Sequence, residues 1–227
     1  MNAVIYYSNT GKSLDIARYF SDKLKYPLLS LEKIEFHSFK NLVIVFPVLC
    51  QNIPDDIKAF LKRASVEYLT PIATYGKMCR GNVLHEIQNK YKMNIVAAAY
   101  VPTKHAYIKD DGDFSCYEKL MPIIEKIKNP ETVILPRLYK NPLADIFPKA
   151  RSRAGLKIRK NSNCNACNVC AEVCPQNAIR SGITNKKCIR CLRCVEKCPS
   201  HALEIKIGLP LKLYLKKNKI NKTVIYV

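Results

Sequence analysis

Eight of the chain's eleven cysteines fall in two copies of one spacing near the C-terminus. The first copy is Cys164-x2-Cys167-x2-Cys170-x3-Cys174-Pro175. The second is Cys188-x2-Cys191-x2-Cys194-x3-Cys198-Pro199. Three thiols, each separated from the next by two residues, let a tight loop wrap one face of an inorganic cubane. A fourth, followed by proline, closes the cage, and this is the ligand spacing of a 4Fe–4S cluster pair. Each cysteine of the first copy recurs 24 residues later, and CPQNAI in the first copy matches CPSHAL in the second. The two loops therefore read as halves of one duplicated unit. Zinc is the competing metal, but it favours two CxxC knuckles split by a spacer rather than three cysteines in tandem.

The 227 residues allow one large domain or two ordinary ones, and a 48% apolar fraction can fill a sizeable core. Met1 to Tyr7 reads as a short strand, which Ser8-Asn9-Thr10-Gly11 ends too early for the apolar core of a leader. The longest apolar runs, Leu42 to Cys50 and Ile95 to Val101, fall far short of a membrane span. A soluble, cytoplasmic chain is expected, in which clustered thiols bind metal rather than forming disulfides. The formal charge is +20. Basic residues gather in two blocks, Lys149, Arg151, Arg153, Lys157, Arg159 and Lys160, then Lys206, Lys212, Lys216, Lys217, Lys219 and Lys222. No base-stacking or recognition motif accompanies them, so a face for an acidic redox protein or reductase is expected before a nucleic-acid site. A zinc-dependent nucleic-acid-binding protein remains the remote alternative.

Over residues 1–145, strands and helices alternate. The expected strands are Asn2–Tyr7, Pro27–Leu31, Asn41–Phe46, Thr70–Tyr75 and Asn94–Tyr100. The expected helices are Ser13–Lys25, with Leu14, Ala17, Phe20 and Leu24 inward, then Pro54–Arg63, Val83–Lys92 and Ser115–Lys128. Such alternation gives a five-stranded, doubly wound parallel sheet whose ligands bind beyond the carboxyl ends of the strands. Residues 146–160 read as a linker and docking segment, 161–206 as the cysteine module, and 207–227 as a basic tail with no assigned element. Ile179, Ile183, Ile189 and Leu203 are expected to shield the clusters. Cys50, Cys79 and Cys116 read as packing residues, and His37, His85 and His105 as surface residues.

The first strand runs into Ser8-Asn9-Thr10-Gly11-Lys12-Ser13 and then a helix, a hydroxyl-rich turn suited to a phosphate. Tyr6 stands where a nucleotide P-loop needs glycine, so that reading fails, and the lack of a GxGxxG disfavours a nicotinamide-type dinucleotide site. Residues 6–17, YYSNTGKSLDIA, resemble the phosphate-binding loop of the flavodoxins. Pro47-Val48-Leu49-Cys50-Gln51-Asn52-Ile53-Pro54 is similar to their second, flavin-flanking loop, and Tyr75-Gly76 through Gly81-Asn82 to their third. The second loop lacks the usual glycines, the third carries Lys77-Met78-Cys79-Arg80, and no tryptophan is available to stack on a flavin. Across nearly the whole chain the arrangement resembles flavodoxin–ferredoxin fusion proteins of anaerobes.

The resemblance implies a flavodoxin-like sheet of order 2-1-3-4-5 and a small α+β ferredoxin-like domain. It implies that the two repeats exchange their fourth ligands. One cluster would take Cys164, Cys167, Cys170 and Cys198, and the other Cys174, Cys188, Cys191 and Cys194. An FMN phosphate would sit on Ser8, Asn9, Thr10, Gly11, Lys12 and Ser13, with the ring against Pro47, Val48, Leu49, Cys50, Tyr75 and Gly76. The expected function is low-potential electron transfer, with a flavin-free docking module as the alternative for the first domain. No triad or pair of carboxylates marks a catalytic centre.

Overall fold

The run AVIY opens the chain as β1 (Ala3–Tyr6), apolar on both faces. A computed structural model describes residues 1–35, 38–108, 112–146, 148–217 and 219–227, and side chains of all of these but 148–151. After β1 come α1 (Lys12–Leu24), β2 (Leu28–Ser30), β3 (Ser38–Pro47), α2 (Asp55–Leu61), β4 (Ser65–Tyr75), α3 (Val83–Tyr91), β5 (Ala98–Pro102) and α4 (Met121–Lys128). Strands β2-β1-β3-β4-β5 lie side by side and parallel. That is the flavodoxin-like order of a doubly wound sheet.

A parallel sheet is covered on both faces, so its strands carry apolar residues at odd and even positions alike. Ala3, Ile5, Leu42, Ile44 and Phe46 face one cluster, which Ile57 and Phe60 of α2 and Leu84 and Ile87 of α3 complete. Val4, Val43, Val45 and Ala99 face the other, closed by Ile16, Ala17 and Phe20 of α1 and Ile123 and Ile124 of α4. The inward face of α1 is Ser13, Ile16, Ala17 and Phe20. It is rotated from the expected Leu14-centred stripe because the i, i+3, i+4, i+7 set starts at Ser13. Strands β3 and β4 extend well before their expected starts, and they pair from Ser38↔Ser65 to Pro47↔Thr74. Pro122 falls in the first turn of α4, where its missing N–H costs nothing.

The chain divides into two compact units, residues 1–142 with 219–227, and residues 143–218. The second unit holds α5 (Pro148–Gly155), β6 (Leu156–Lys160), α6 (Val169–Glu172), β7 (Ile179–Arg180), β8 (Ile183–Thr184), α7 (Arg193–Glu196), β9 (Leu203–Ile207) and α8 (Leu209–Leu215). The segment 146–160 is therefore no simple linker. The alternation Leu156-Lys157-Ile158-Arg159-Lys160 is a strand that pairs antiparallel with β9, Leu156↔Ile207 to Lys160↔Leu203. The tail is split as well: α8 stays in the second unit, and β10 (Val224–Tyr226) joins the first as an antiparallel sixth strand on β5. Among the described residues no helix is long and apolar enough to cross a membrane. His37 lies outside the described residues, as do the side chains of Lys149 and Arg151.

Candidate iron–sulfur centre and cofactor loops

The duplication in the cysteines is also a duplication of backbone. Left-handed residues recur 24 positions apart, at Ala166 (φ 57) and Arg190 (59), Asn168 (61) and Leu192 (65), and Asn177 (46) and His201 (48). Each pair does the same job. The first two bend the three-cysteine loop, and the third turns the chain after the Cys-Pro corner. Turns that mix left- and right-handed residues point successive N–H groups into a concavity that suits an anionic group, iron–sulfur clusters included. The fourth cysteine of each copy receives an equivalent bond: Ala178 N–H donates to Cys174 Sγ (3.2 Å), and Ala202 N–H to Cys198 Sγ (3.3 Å).

Cys174 of the first copy lines one cavity with Cys188, Cys191 and Cys194 of the second. Ile158, Ile179 and Ile189 supply its apolar wall. In the other set, Cys170 and Cys198 are buried, Cys164 is half-buried and Cys167 is exposed. Crowded thiols in apolar surroundings resist ionisation. Burial, reinforced by Cys191, Cys188, Cys174 and Cys170, pushes the Cys194 thiol up to about 12. Burial likewise raises Cys191. A cluster of iron cations is what makes four thiolates tolerable there, so the donor set fits a cubane.

Among the described residues, no three His, Cys, Asp or Glu side chains converge tightly enough for a single metal ion.

The two centres are not equivalent. Burial alone would raise the Cys198 thiol, but the Ser200 hydroxyl and the N–H groups of Ala202, Ser200 and Leu203 outweigh it and hold it below the ordinary range. The Ser200 hydroxyl lies 3.6 Å from Cys198 Sγ. Gln176 occupies the matching place in the first copy. Arg190, which takes the place of Ala166, is buried and donates to the Leu156 carbonyl (2.9 Å) and the Thr184 hydroxyl (3.0 Å). Sequence reasoning passed over it, although a charge where the other copy has a methyl group was a visible signal. Ile179 and Leu203 are buried, Ile179 on the cavity wall, but Ile183, expected to shield a cluster, is exposed because it pairs with outward-facing Arg180 across a two-residue hairpin.

In the first unit, Gly11 (φ 87) turns β1 into α1, with open space where a Cβ would stand. Ser8, Asn9 and Thr10 are half-exposed around it. The first-turn N–H groups of α1 have no carbonyl within the helix to receive them. Ser13 is buried, and its hydroxyl lies 2.9 Å from that of Thr74 on β4, so it anchors the loop from beneath. The Lys12 ammonium pairs with Asp113 at 2.5 Å. Burial would raise that carboxyl, yet Lys12 and the Lys104 and Phe114 N–H groups together hold it below the usual carboxylate range. The Ser8 and Thr10 hydroxyls and the first-turn N–H groups are the donors here that suit a phosphate, since Lys12 is engaged by Asp113.

The two ring loops are more constrained. Leu49 and Asn52 exchange both backbone bonds (3.0 and 2.9 Å), and Cys50 (φ 51) and Gln51 (φ 67) form the tip. This is a primed two-residue hairpin turn, normally Asn-Gly, so non-glycine residues here store strain of about 1–2 kcal/mol each. Gly81 (φ 66) packs on that tip, and a Cβ there would stand 2.5 Å from the Gln51 carbonyl oxygen. Pro47 ends β3, and Val48 donates to the Thr74 carbonyl (2.7 Å). Gly76 is required by His105, whose ring carbon would lie 2.5 Å from a Cβ. Tyr75 is buried, and its hydroxyl donates toward the carbonyls of Ile220 (3.0 Å) and Lys222 (2.7 Å). Its polar end serves the C-terminal segment rather than an open site.

Residues 145–214 match the family model of the 4Fe–4S dicluster domain. The first unit, outside that match, carries the flavodoxin-like strand order. Similar solved structures include a candidate flavoprotein from Bacteroides uniformis (15% identity, 55% of this chain and 97% of that one, TM-score 0.41). A flavodoxin from the domain Archaea matches at 14% identity over 56% of this chain and 99% of its own, with a TM-score of 0.40. The Trp repressor binding protein from Bacillus subtilis matches at 13% identity over 61% and 100%, with a TM-score of 0.33. No curated protein matches the chain.

Proposed function

We propose that the chain is an electron-transfer protein carrying two 4Fe–4S clusters and one FMN. The observation that carries this reading is the single cavity lined by Cys174 from one repeat and Cys188, Cys191 and Cys194 from the other. Cys164, Cys167, Cys170 and Cys198 would hold the second cluster. Bound there, the clusters exchange single electrons, and FMN can store one or two. The protein's share is to exclude water with Ile158, Ile179 and Ile189 and to aim N–H groups at sulfur. In the first unit, Ser8, Asn9, Thr10 and the first turn of α1 would hold the phosphate. Lys157, Arg159 and Lys160, all exposed, would face an acidic redox protein.

Titrating FMN into the reconstituted chain should quench its fluorescence. Replacing Ser8 and Thr10 together by alanine should weaken binding by more than about tenfold, since bonds to a charged group are worth roughly 1.5–3 kcal/mol each. A chain with intact clusters and no quenching would refute the flavin and leave a docking module. The Gly81–Gln51 contact and the commitment of Tyr75 to the tail are what favour that second reading.

Donors to sulfur stabilise the more negative, reduced state. Ser200→Ala should therefore lower the potential of one cluster by roughly 10–50 mV, where about 59 mV is a tenfold change for one electron. Redox titration followed by electron paramagnetic resonance checks this. Equal shifts in both clusters, or none, would contradict the asymmetry.

A further inference from the structure

Helix α8 is built almost wholly of apolar residues, LPLKLYL, yet none of them is buried. Leu211 and Leu215, one turn apart, are half-buried, and Leu211 Cδ2 would lie 3.1 Å from a Cβ on Gly155 at the end of α5. The opposite side carries Leu209 (68% exposed), Pro210 and Leu213 (57% exposed), with Tyr214 at its margin. At 100° per residue these four span one continuous stripe, and Lys212 and Lys216 lie along its Leu209 edge. Lys217 lies over the Tyr214 ring, 5.9 Å from its centroid.

We propose that this face docks on an anionic lipid surface, independently of the electron-transfer reading above. Three features select lipid over an acidic protein. First, the stripe is exposed leucine edged by lysine with a tyrosine at the boundary, the make-up of a segment that lies in a membrane interface. Second, charge is entirely of one sign: no Asp or Glu follows Glu204. Third, every cation after Arg193 is lysine. Protein interfaces favour arginine and are depleted in lysine, whereas anionic headgroups attract either as a point charge. The apolar stripe would sit at the acyl boundary while Lys212, Lys216 and Lys217 reach the headgroups. No membrane span is needed.

The test is co-sedimentation of the full, cluster-loaded chain with vesicles. Binding is expected to phosphatidylcholine vesicles that contain phosphatidylglycerol. With phosphatidylcholine alone it should fall by about tenfold or more, as it should when salt is raised. Leu209→Glu with Leu213→Glu should abolish binding. Lys212, Lys216 and Lys217 replaced together by glutamine should weaken it by about tenfold. All five positions are exposed, and an unchanged circular dichroism spectrum would verify that each variant is folded. Absence of vesicle binding by the folded chain would overturn the proposal, as would a double leucine variant that binds like the parent. Retention on immobilised polyglutamate without vesicle binding would also overturn it, in favour of an acidic protein.

Discussion

Replacing Cys174 by alanine is expected to remove the cluster of the Cys188–Cys194 loop, although Cys174 belongs to the other repeat. Iron should fall from about eight per chain to about four. The reason is placement: Cys174 shares its cavity with Cys188, Cys191 and Cys194. Double variants separate this from an unexchanged arrangement. Cys174→Ala combined with Cys188→Ala should lose no more iron than either alone. Cys174→Ala combined with Cys198→Ala should empty both sites, and the second unit should then fail to fold, because metal binding is folding energy for such modules. If Cys174→Ala with Cys170→Ala kept about four irons while Cys174→Ala with Cys188→Ala kept none, each repeat would close its own cluster and the exchange would be refuted.

Deleting residues 219–227 should destabilise the first unit as strongly as any single surface change can. Strand β10 covers the edge of β5, with Val224↔Tyr100, Ile225↔Ala99 and Tyr226↔Ala98 in register. Val224 and Tyr226 pack on one core cluster and Ile225 on the other, all partly buried. Half-burial of three such side chains is worth about 1 kcal/mol each. The deletion also removes both hydrogen bonds of the Tyr75 hydroxyl to the tail, each worth about 0.5–1.5 kcal/mol. The sum, on the order of 4–6 kcal/mol, approaches the whole stability of many domains. A melting transition lowered by roughly 10–20 °C is expected. The bare β5 edge, apolar on both faces, should also promote aggregation. Tyr75→Phe should reproduce only a fraction of the shift. A deletion that moved the transition by less than about 3 °C would show the tail to be dispensable.

Elements whose signal is local were legible from residue order. The LVIVF run of β3 and the doubled cysteine spacing each point to one structure, because a buried parallel strand and a cubane loop tolerate few alternatives. What escaped was set by long-range pairing. Nothing near Leu156 indicates that LKIRK will find LEIKI of β9, and the alternation was hidden among charged residues. The tail was opaque for the same reason. VIY is too short to read as a strand until β5 presents an edge. In the loops after β1 and β3, the turn at Gly11 was legible, because glycine alone takes its left-handed conformation freely. The hairpin tip at Cys50-Gln51 was not, since neither residue favours the left-handed conformation it takes there. Tyr75 looked like a residue bordering a ring, and only the fold shows its hydroxyl held by Ile220 and Lys222, far along the chain.

Iron and acid-labile sulfide, measured per chain after anaerobic reconstitution of the intact protein, test the central claim most directly. The account predicts about eight of each, with both fully retained through gel filtration. Zinc bound in place of iron, or iron without sulfide, would contradict it.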